Sequence, residues 1–465
     1  MKKLLPKKYR RLLWAGLLAC LVLYVLGSLL VPPLAGTQRK SDRQIKLPAP
    51  AAERVCLVDG NEEALRWRLR LIRSAQSEIV LSTFDFRADE SGSDVVAALL
   101  DAAERGVQVR LLVDGMNAQL HLQGSAAFQA LAAHENAEIM FYNPLRLTRL
   151  WSANYRSHDK YLIIDRGAYL LGGRNTSDLF LGSGGTARQN MDRDVVVCGS
   201  GSGRGSAAAL LDYFEDIWAL DTNREFRANG EAGRVLRAAA ALRERWAAIT
   251  GAGRVTPIDW DAETIQAGGV TVLHGDCAAR NKEPVLLNTL TALMQGGREQ
   301  VVVQTPYIIC NRAMYDALEK AGGAAQVQII TNAPQRGANP WGCADYLNQK
   351  KAILSTGASV CEWHGERSMH TKTILIDDRF SIIGSFNWDM RSAYLDTELM
   401  LLVDCPELNA ALRAETDEMV RQGRLLLPDG TAVEGAAYTA PEMPLYKKLL
   451  QPVLRVVIRP FRYVL

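Results

Sequence analysis

Two stretches of the sequence place a histidine and a lysine two residues apart, each ahead of an apolar run that ends on aspartate: SHDKYLIID at 157–165 and MHTKTILID at 369–377. The runs are short and rich in β-branched and aromatic residues, so both are expected to be strands, along which residues two apart share a face. His158 then points with Lys160, and His370 with Lys372, each imidazole about 7 Å from a fixed ammonium. A nucleophile or acid beside a fixed positive charge suits a phosphoryl group. Seven residues after each aspartate the chain turns to small residues and then asparagine: Gly172, Gly173 and Asn175 in one copy, Gly384, Ser385 and Asn387 in the other. Small residues let backbone approach an oxyanion and a carboxamide adds a donor, so Gly173, Ser385, Asn175 and Asn387 are candidate phosphate-binding residues. A single match of this kind carries little weight; two, each followed by the same spacing, carry much. His121, His134, His274 and His364 lack the lysine and the glycines and read as surface or satisfied core residues.

The elements that must position these residues are also written twice. EIVLSTFDF (78–86), VVAALLDAAERG (95–106), VQVRLLVDG (107–115) and AEIMFYN (137–143) read as strand, helix, strand and strand, and EQVVVQTPYII (299–309), AMYDALEKAGG (313–323), AQVQIITNAP (325–334) and ASVCEWHG (358–365) repeat the order. Strands alternating with helical patterns, several apolar on both faces, predict α/β units whose sheet is covered on both sides. The expected architecture is two similar α/β halves, 54–221 and 268–424, packed with pseudo-two-fold symmetry and joined by a connecting segment, 222–267.

With 465 residues, 48% hydrophobic and 23% charged, the chain can bury a sizeable core, and its net charge of +3 does not advertise a nucleic-acid groove. Its eight cysteines form no CxxC pair and no HExxH occurs, so neither a metal site nor a disulfide framework is expected. The N-terminal MKKLLPKKYRR (1–11) carries six cations, and residues 12–31 then run twenty positions without a charge, enough to cross a bilayer core about 30 Å thick. We read this run as a single transmembrane anchor, with a Pro- and Ala-rich linker at 32–53. The leading cations outnumber those of TQRKSDRQIK, which places the N-terminus in the cytoplasm. The Gly/Ser stretch CGSGSGRGS (198–206) lacks the GxxxxGK[ST] ending and reads as a turn before a helix. The C-terminal tail, 425–465, interleaves Lys and Arg with apolar residues; an interfacial segment and a packed tail both fit, and Pro452 and Pro460 are expected to forbid one continuous helix.

Over nearly all of residues 54–424 the sequence resembles the phospholipase D superfamily, whose members carry two HxKxxxxD motifs in two similar halves. GGRNTSDLF and GSFNWDMRS look most like bacterial cardiolipin synthases, with Met390 where that family often has proline. The resemblance implies a double displacement at phosphorus with no cofactor. His158 would be the nucleophile and His370 the acid by the family pattern, although the sequence itself does not distinguish them. Lys160, Lys372, Asn175 and Asn387 would hold the equatorial oxygens, while Asp165 and Asp377, the last members of the motifs, lead into turns and would fix the loop without touching substrate. Asp194 in MDRDVVV and Glu398 in DTELMLLV resemble the carboxylates that orient the rings, with Asp192 and Asp396 as rivals. The implied partners are phospholipids, phosphatidylglycerol first and phosphatidylethanolamine as a further candidate, in a cell membrane and without nucleic acid. A hydrolytic phospholipase D, a nuclease of the same superfamily and a non-enzymatic scaffold are the alternatives; the last would need a damaged motif, and both motifs are intact.

Overall fold

The computed structural model describes residues 7–182, 189–199, 205–440 and 442–465. The repeat in the sequence becomes two nine-stranded sheets. In the first half, β1 (Glu53–Val58), β2 (Glu78–Thr83), β3 (Gln108–Asp114), β4 (Ala137–Tyr142), β5 (Tyr161–Ile164), β6 (Ala168–Gly172) and β7 (Asp194–Gly199) lie side by side in the order β1, β7, β6, β5, β2, β3, β4. In the second, β8 (Gly269–His274), β9 (Gln300–Gln304), β10 (Gln326–Asn332), β11 (Ser359–Trp363), β12 (Thr373–Ile376), β13 (Phe380–Gly384) and β14 (Leu399–Asp404) follow the same plan: β8, β14, β13, β12, β9, β10, β11. Short strands complete the sheets: Ile265–Gln266 and Arg224–Glu225 at the two edges of the first, and Arg424–Leu426 followed by Ala432–Glu434 at one edge of the second, beside β11.

Successive residues of β2 explain why its sequence is apolar without alternation. Ile79 and Leu81 enter an outer core beneath the helices of the first half, whereas Val80 enters a core shared with the other half. Val301 and Val303 of β9 likewise face outward and Val302 inward. Both faces of each sheet are therefore buried, as parallel pairing with helical crossovers requires. The shared core also takes apolar residues from α2 (Ser206–Trp218), such as Leu210 and Phe214, and from α4 (Pro406–Gln422), such as Leu408 and Leu412.

Three segments hold more structure than the sequence indicates. The segment 222–267 is more than a connection: it contains α3 (Ala232–Gly251), whose Leu242, Trp246 and Ile249 belong to the core of the first half. The linker at 32–53 is ordered. The N-terminal helix α1 (Lys7–Gly36) continues through Pro32 and Pro33, and the extended chain beyond it is tied down, with Asn288 Nδ2 donating to the carbonyls of Ser41 (2.7 Å) and Arg43 (2.9 Å) and Ile45 N donating to Thr289 (2.8 Å). Finally, α5 (Leu445–Ile458) continues through Pro452, contrary to expectation, and ends ahead of Pro460, where the 3-10 turn Arg459–Val464 takes over. Lys448 and Pro452 both face outward, so the carbonyl that proline leaves without a donor lies where solvent can serve it. Of the Gly/Ser stretch, residues 200–204 lie outside the described residues; α2 begins just after it.

Candidate active site

Both motifs sit at the seam between the halves, and backbone pairing across the seam fixes them. Ser157 bridges to Thr397, with Thr397 N donating to Arg156 O (2.9 Å) and His158 N to the Thr397 hydroxyl (3.1 Å). The symmetry mate is the pairing of Ser368–Met369 with Asn190–Met191, continued by His370 N donating to Met191 O (2.7 Å). The histidines and lysines lie just upstream of β5 and β12, yet Gly172 N and Gly384 N still bond the carbonyls of Lys160 and Lys372 (3.2 Å each), so the ladder extends to them.

Each ring is backed by a carboxylate from the opposite half: His158 Nδ1 lies 3.0 Å from Glu398 Oε1, and His370 Nδ1 lies 2.6 Å from Asp192 Oδ2. Of the two carboxylates singled out from sequence, Glu398 is in place and Asp194 is not. Asp194 is fully buried and accepts from Arg68 (2.9 Å) and Arg174 (3.3 Å). The reason is register: Gly172 pairs with Asp194, whereas Gly384 pairs with Met400, so the counterpart of Glu398 is Asp192. Asp396 reaches no histidine either, serving Arg391 (2.8 Å) and the backbone of Arg156 (3.3 Å).

The small residues also act differently from expectation. A Cβ on Gly173 would meet Asp192 Oδ1 at 2.3 Å, so glycine there makes room for the carboxylate. Gly173 N and Ser385 N are already committed to the carbonyls of Arg193 and Leu399 (2.9 Å each), which removes both amides as phosphate donors. The Ser385 hydroxyl bonds the backbone of Leu399 at 3.0 and 3.2 Å. Asn175 accepts from Asp85 N (3.4 Å), and Asn387 donates to the Tyr307 hydroxyl (3.4 Å) while its buried Oδ1 has no partner.

Asp165 and Asp377 hold their loops in matching ways, both in the left-handed region at φ 48° and 49°. Asp165 accepts from the amides of Gln76, Ser77 and Glu78 (2.7–3.1 Å), and Asp377 from those of Arg298, Glu299 and Gln300 (2.9–3.2 Å). Asp377→Ala frees three amides at the start of β9 and is expected to lower stability by about 1–3 kcal/mol. Urea unfolding checks this; an unchanged midpoint would remove the structural role.

The charges are packed tightly. Lys160 and Lys372 bond the carbonyls of His158 and His370, and Lys372 Nζ also lies 2.8 Å from His370 Nδ1. Burial, reinforced by Lys160 and Lys372, holds His158 well below its ordinary pKa, and burial with Lys372 draws His370 down to about 4 against the pull of Asp192. Both rings are neutral at rest. Burial would raise Asp192, but Lys372 and His370 overrule it and keep the carboxyl at about 2. Glu398 goes the other way, lifted by burial to about 8 despite Lys160. Burial lowers Lys160 to about 7, with Glu398 resisting and Lys372 reinforcing, and lowers Lys372 to about 8. An ammonium is charged below its pKa and neutral above it, so the charge available to a phosphoryl oxygen declines as pH rises through 7 to 8. Initial rates between pH 6 and 9 are expected to fall on the alkaline side, and Lys160→Met to lower the rate while removing the first part of that fall. A profile flat to pH 9 would deny the lysines this role.

Several supporting residues carried no signal in the sequence. Phe84 and Phe180 meet His158 and His370 edge-on, with ring centroids 5.1 and 5.0 Å apart. Asp159, buried between the motif residues, accepts from Tyr213 and Thr397 (2.7 Å each), and Ser392 donates to Glu398 (2.5 Å). Among the described residues, no cluster of three or more His, Cys, Asp or Glu side chains could hold a metal ion.

Comparison with known proteins places this arrangement. The family described as "Cardiolipin synthase, PLD-like domain" matches residues 69–218 and 290–420, once in each half. An uncharacterized protein of Helicobacter pylori (strain J99) is 24% identical over 422 residues, 80% of each chain. The cardiolipin synthase of Geobacillus kaustophilus is 25% identical over 359 residues, which are 76% of this chain and 63% of that one. Among solved structures, the phosphatidylserine synthase of Haemophilus influenzae superposes with a TM-score of 0.63 at 17% identity, covering 90% of this chain and 98% of that one, a likeness of fold.

Proposed function

The chain belongs to the cardiolipin synthase, phospholipase D-like domain family, and from that premise we propose that it is a membrane-anchored phosphatidyltransferase that makes cardiolipin from phosphatidylglycerol and a second phospholipid. Family membership makes it a phospholipid enzyme of the phospholipase D superfamily; the observation that carries the finer reading is the reciprocal pairing of His158 with Glu398 and His370 with Asp192 across the seam. His158 Nε2 attacks the phosphorus of phosphatidylglycerol, the bond to the glycerol head group breaks, and the departing oxygen takes a proton from His370, whose imidazolium form is favoured over that of the empty site once the anionic phosphodiester is bound. The hydroxyl of a second lipid then gives its proton back to His370, attacks the phosphorus and breaks the P–N bond, regenerating His158. The ionised Asp192 supports the imidazolium that His370 must become. Glu398, with its carboxyl pushed up to about 8, gives His158 no such support and leaves that ring neutral and nucleophilic. Lys160, Lys372 and Asn387 are donors for the equatorial oxygens, where fixed dipoles and charges lower the barrier without rearranging.

α1 suits the role of anchor. Its residues 12–31 are uncharged and its large apolar side chains, Leu12, Trp14, Leu18 and Leu23 among them, are more than half exposed. Tethering keeps the site beside substrates that do not leave the bilayer. The full chain in vesicles of acyl-labelled phosphatidylglycerol should yield labelled cardiolipin and free glycerol. Phosphatidic acid alone would replace the transferase reading with a hydrolase, and DNA cleavage without lipid turnover would replace it with a nuclease.

A further inference from the structure

The catalytic body does not hang below α1; it is fastened to the side of it. The Tyr24 hydroxyl, still within the uncharged run, donates to Leu147 O (2.9 Å) and accepts from Leu150 N (3.3 Å). One turn further on, Ser28 O accepts from Asn154 Nδ2 (2.9 Å). These bonds lay the 3-10 segment Leu147–Asn154 along the apolar helix. With Arg10 and Arg11 at one membrane face, Tyr24 lies about 20 Å further along at 1.5 Å per residue, and a hydrocarbon core is about 30 Å thick. The segment therefore falls about 10 Å inside the opposite face, at the depth where interfacial elements insert.

The side chains fit that depth. Leu147 is 79% and Trp151 43% exposed, with Arg149 outward between them. A second apolar row lies on α5: Leu445, Leu449, Val453 and Val456 recur on one side of the helix, each more than half exposed. The other side of α5 is anchored to the body, Lys447 to the carbonyls of Gln335 and Gly337 (2.9 Å each) and Arg455 to Asn348 (3.0 Å). One residue joins the two elements. Arg391 donates to Asn154 O (2.7 Å) at the end of the 3-10 segment and to Val464 O (3.3 Å) in the turn that continues α5, and that turn packs on α1 as well. An apolar row of this length, left in water, is unfavourable, and cations flank it at Lys448 and Arg459.

We propose that the body is partly submerged: Leu147–Trp151 and the outer face of α5 insert into the head-group region of an anionic phospholipid bilayer around α1, with Arg149, Lys448 and Arg459 against lipid phosphates. This rests on the reading of α1 as an anchor. It gives the inserted segment a direct line to the chemistry, because Asn154 is four residues from His158 and the Arg391 that clamps it also holds Asp396, next to the Thr397 and Glu398 that fix His158. A lipid can then reach the site without leaving the membrane.

Single thiols for an environment-sensitive dye test this in the full chain, with Cys20, Cys56 and Cys277 replaced by serine and the remaining cysteines buried. Leu147→Cys and Val456→Cys report on insertion, Leu17→Cys on the anchor, and Glu244→Cys on the exposed face of α3 as an aqueous control. In vesicles of phosphatidylglycerol and phosphatidylethanolamine, dyes at 147 and 456 are expected to shift to the blue and to be quenched by lipids carrying a spin label near the head group. The dye at 17 is expected to be quenched by labels deep in the chains, and the dye at 244 by neither. Quenching at 17 with aqueous behaviour at 147 and 456 would overturn the proposal and leave the anchor intact. An aqueous dye at 17 would overturn both. A blue shift at 147 and 456 without lipid quenching, growing with protein concentration, would assign the surface to a second copy of the chain instead.

Discussion

His158→Ala given phosphatidylglycerol labelled in its acyl chains should acquire no covalent lipid, whereas His370→Ala should acquire it and release it slowly. Both variants should lose turnover by about 10²–10⁴-fold or more, the range expected when a positioned acid, base or nucleophile is removed. The distinction arises because the two rings stand in different fields. Asp192 remains ionised down to about pH 2, while burial lifts Glu398 to about 8, so His370 is the ring better able to carry a proton to the departing glycerol. Quenching in alkali, where a phosphorus–nitrogen bond of this type survives, followed by gel analysis, makes the comparison. Covalent lipid on His158→Ala and none on His370→Ala would exchange the roles, and none on either would remove the double displacement.

The second large effect separates two acids that stand two residues apart. Asp192→Asn is expected to cost about 10²–10⁴-fold in rate with little change in unfolding midpoint, because the amide no longer supports the charged form of His370. Asp194→Asn is expected to do the reverse. Its carboxylate lies fully buried between Arg68 and Arg174, and removing one partner from a buried ionic cluster costs about 3–5 kcal/mol by leaving the other charges uncompensated. Urea unfolding and initial rates on the same two proteins decide the matter; equal loss of activity at native stability for both would put Asp194 back in the site.

That pair also shows what a sequence can and cannot tell. Both acids begin the same apolar run, MDRDVVV, and face the same way in a strand of period two, so nothing in the pattern chooses between them. The choice is made by sheet register, which sets Gly172 opposite Asp194 and leaves Asp192 one step beyond the ladder. The repeat, the halves and the motif histidines were legible because hydrophobic period and motif spacing are local properties. The behaviour of Gly173 was not, since its neighbour Asp192 is nineteen positions away and stood only as a rival to Asp194. How the linker is held was hidden for a similar reason: its polar, Pro-rich composition does not name a partner, and only the facing Asn288 and Thr289 show it strapped down. Pro452 misled because a proline signals the loss of one hydrogen bond, and on an exposed helical face that loss is small.

The crossed backing of the two imidazoles ties reactivity to closure. A hinge motion that parted the lobes would strip Glu398 from one ring and Asp192 from the other in a single event, so both rings would lose their setting together. Neither lobe, taken alone, holds a motif histidine together with the carboxylate that backs it.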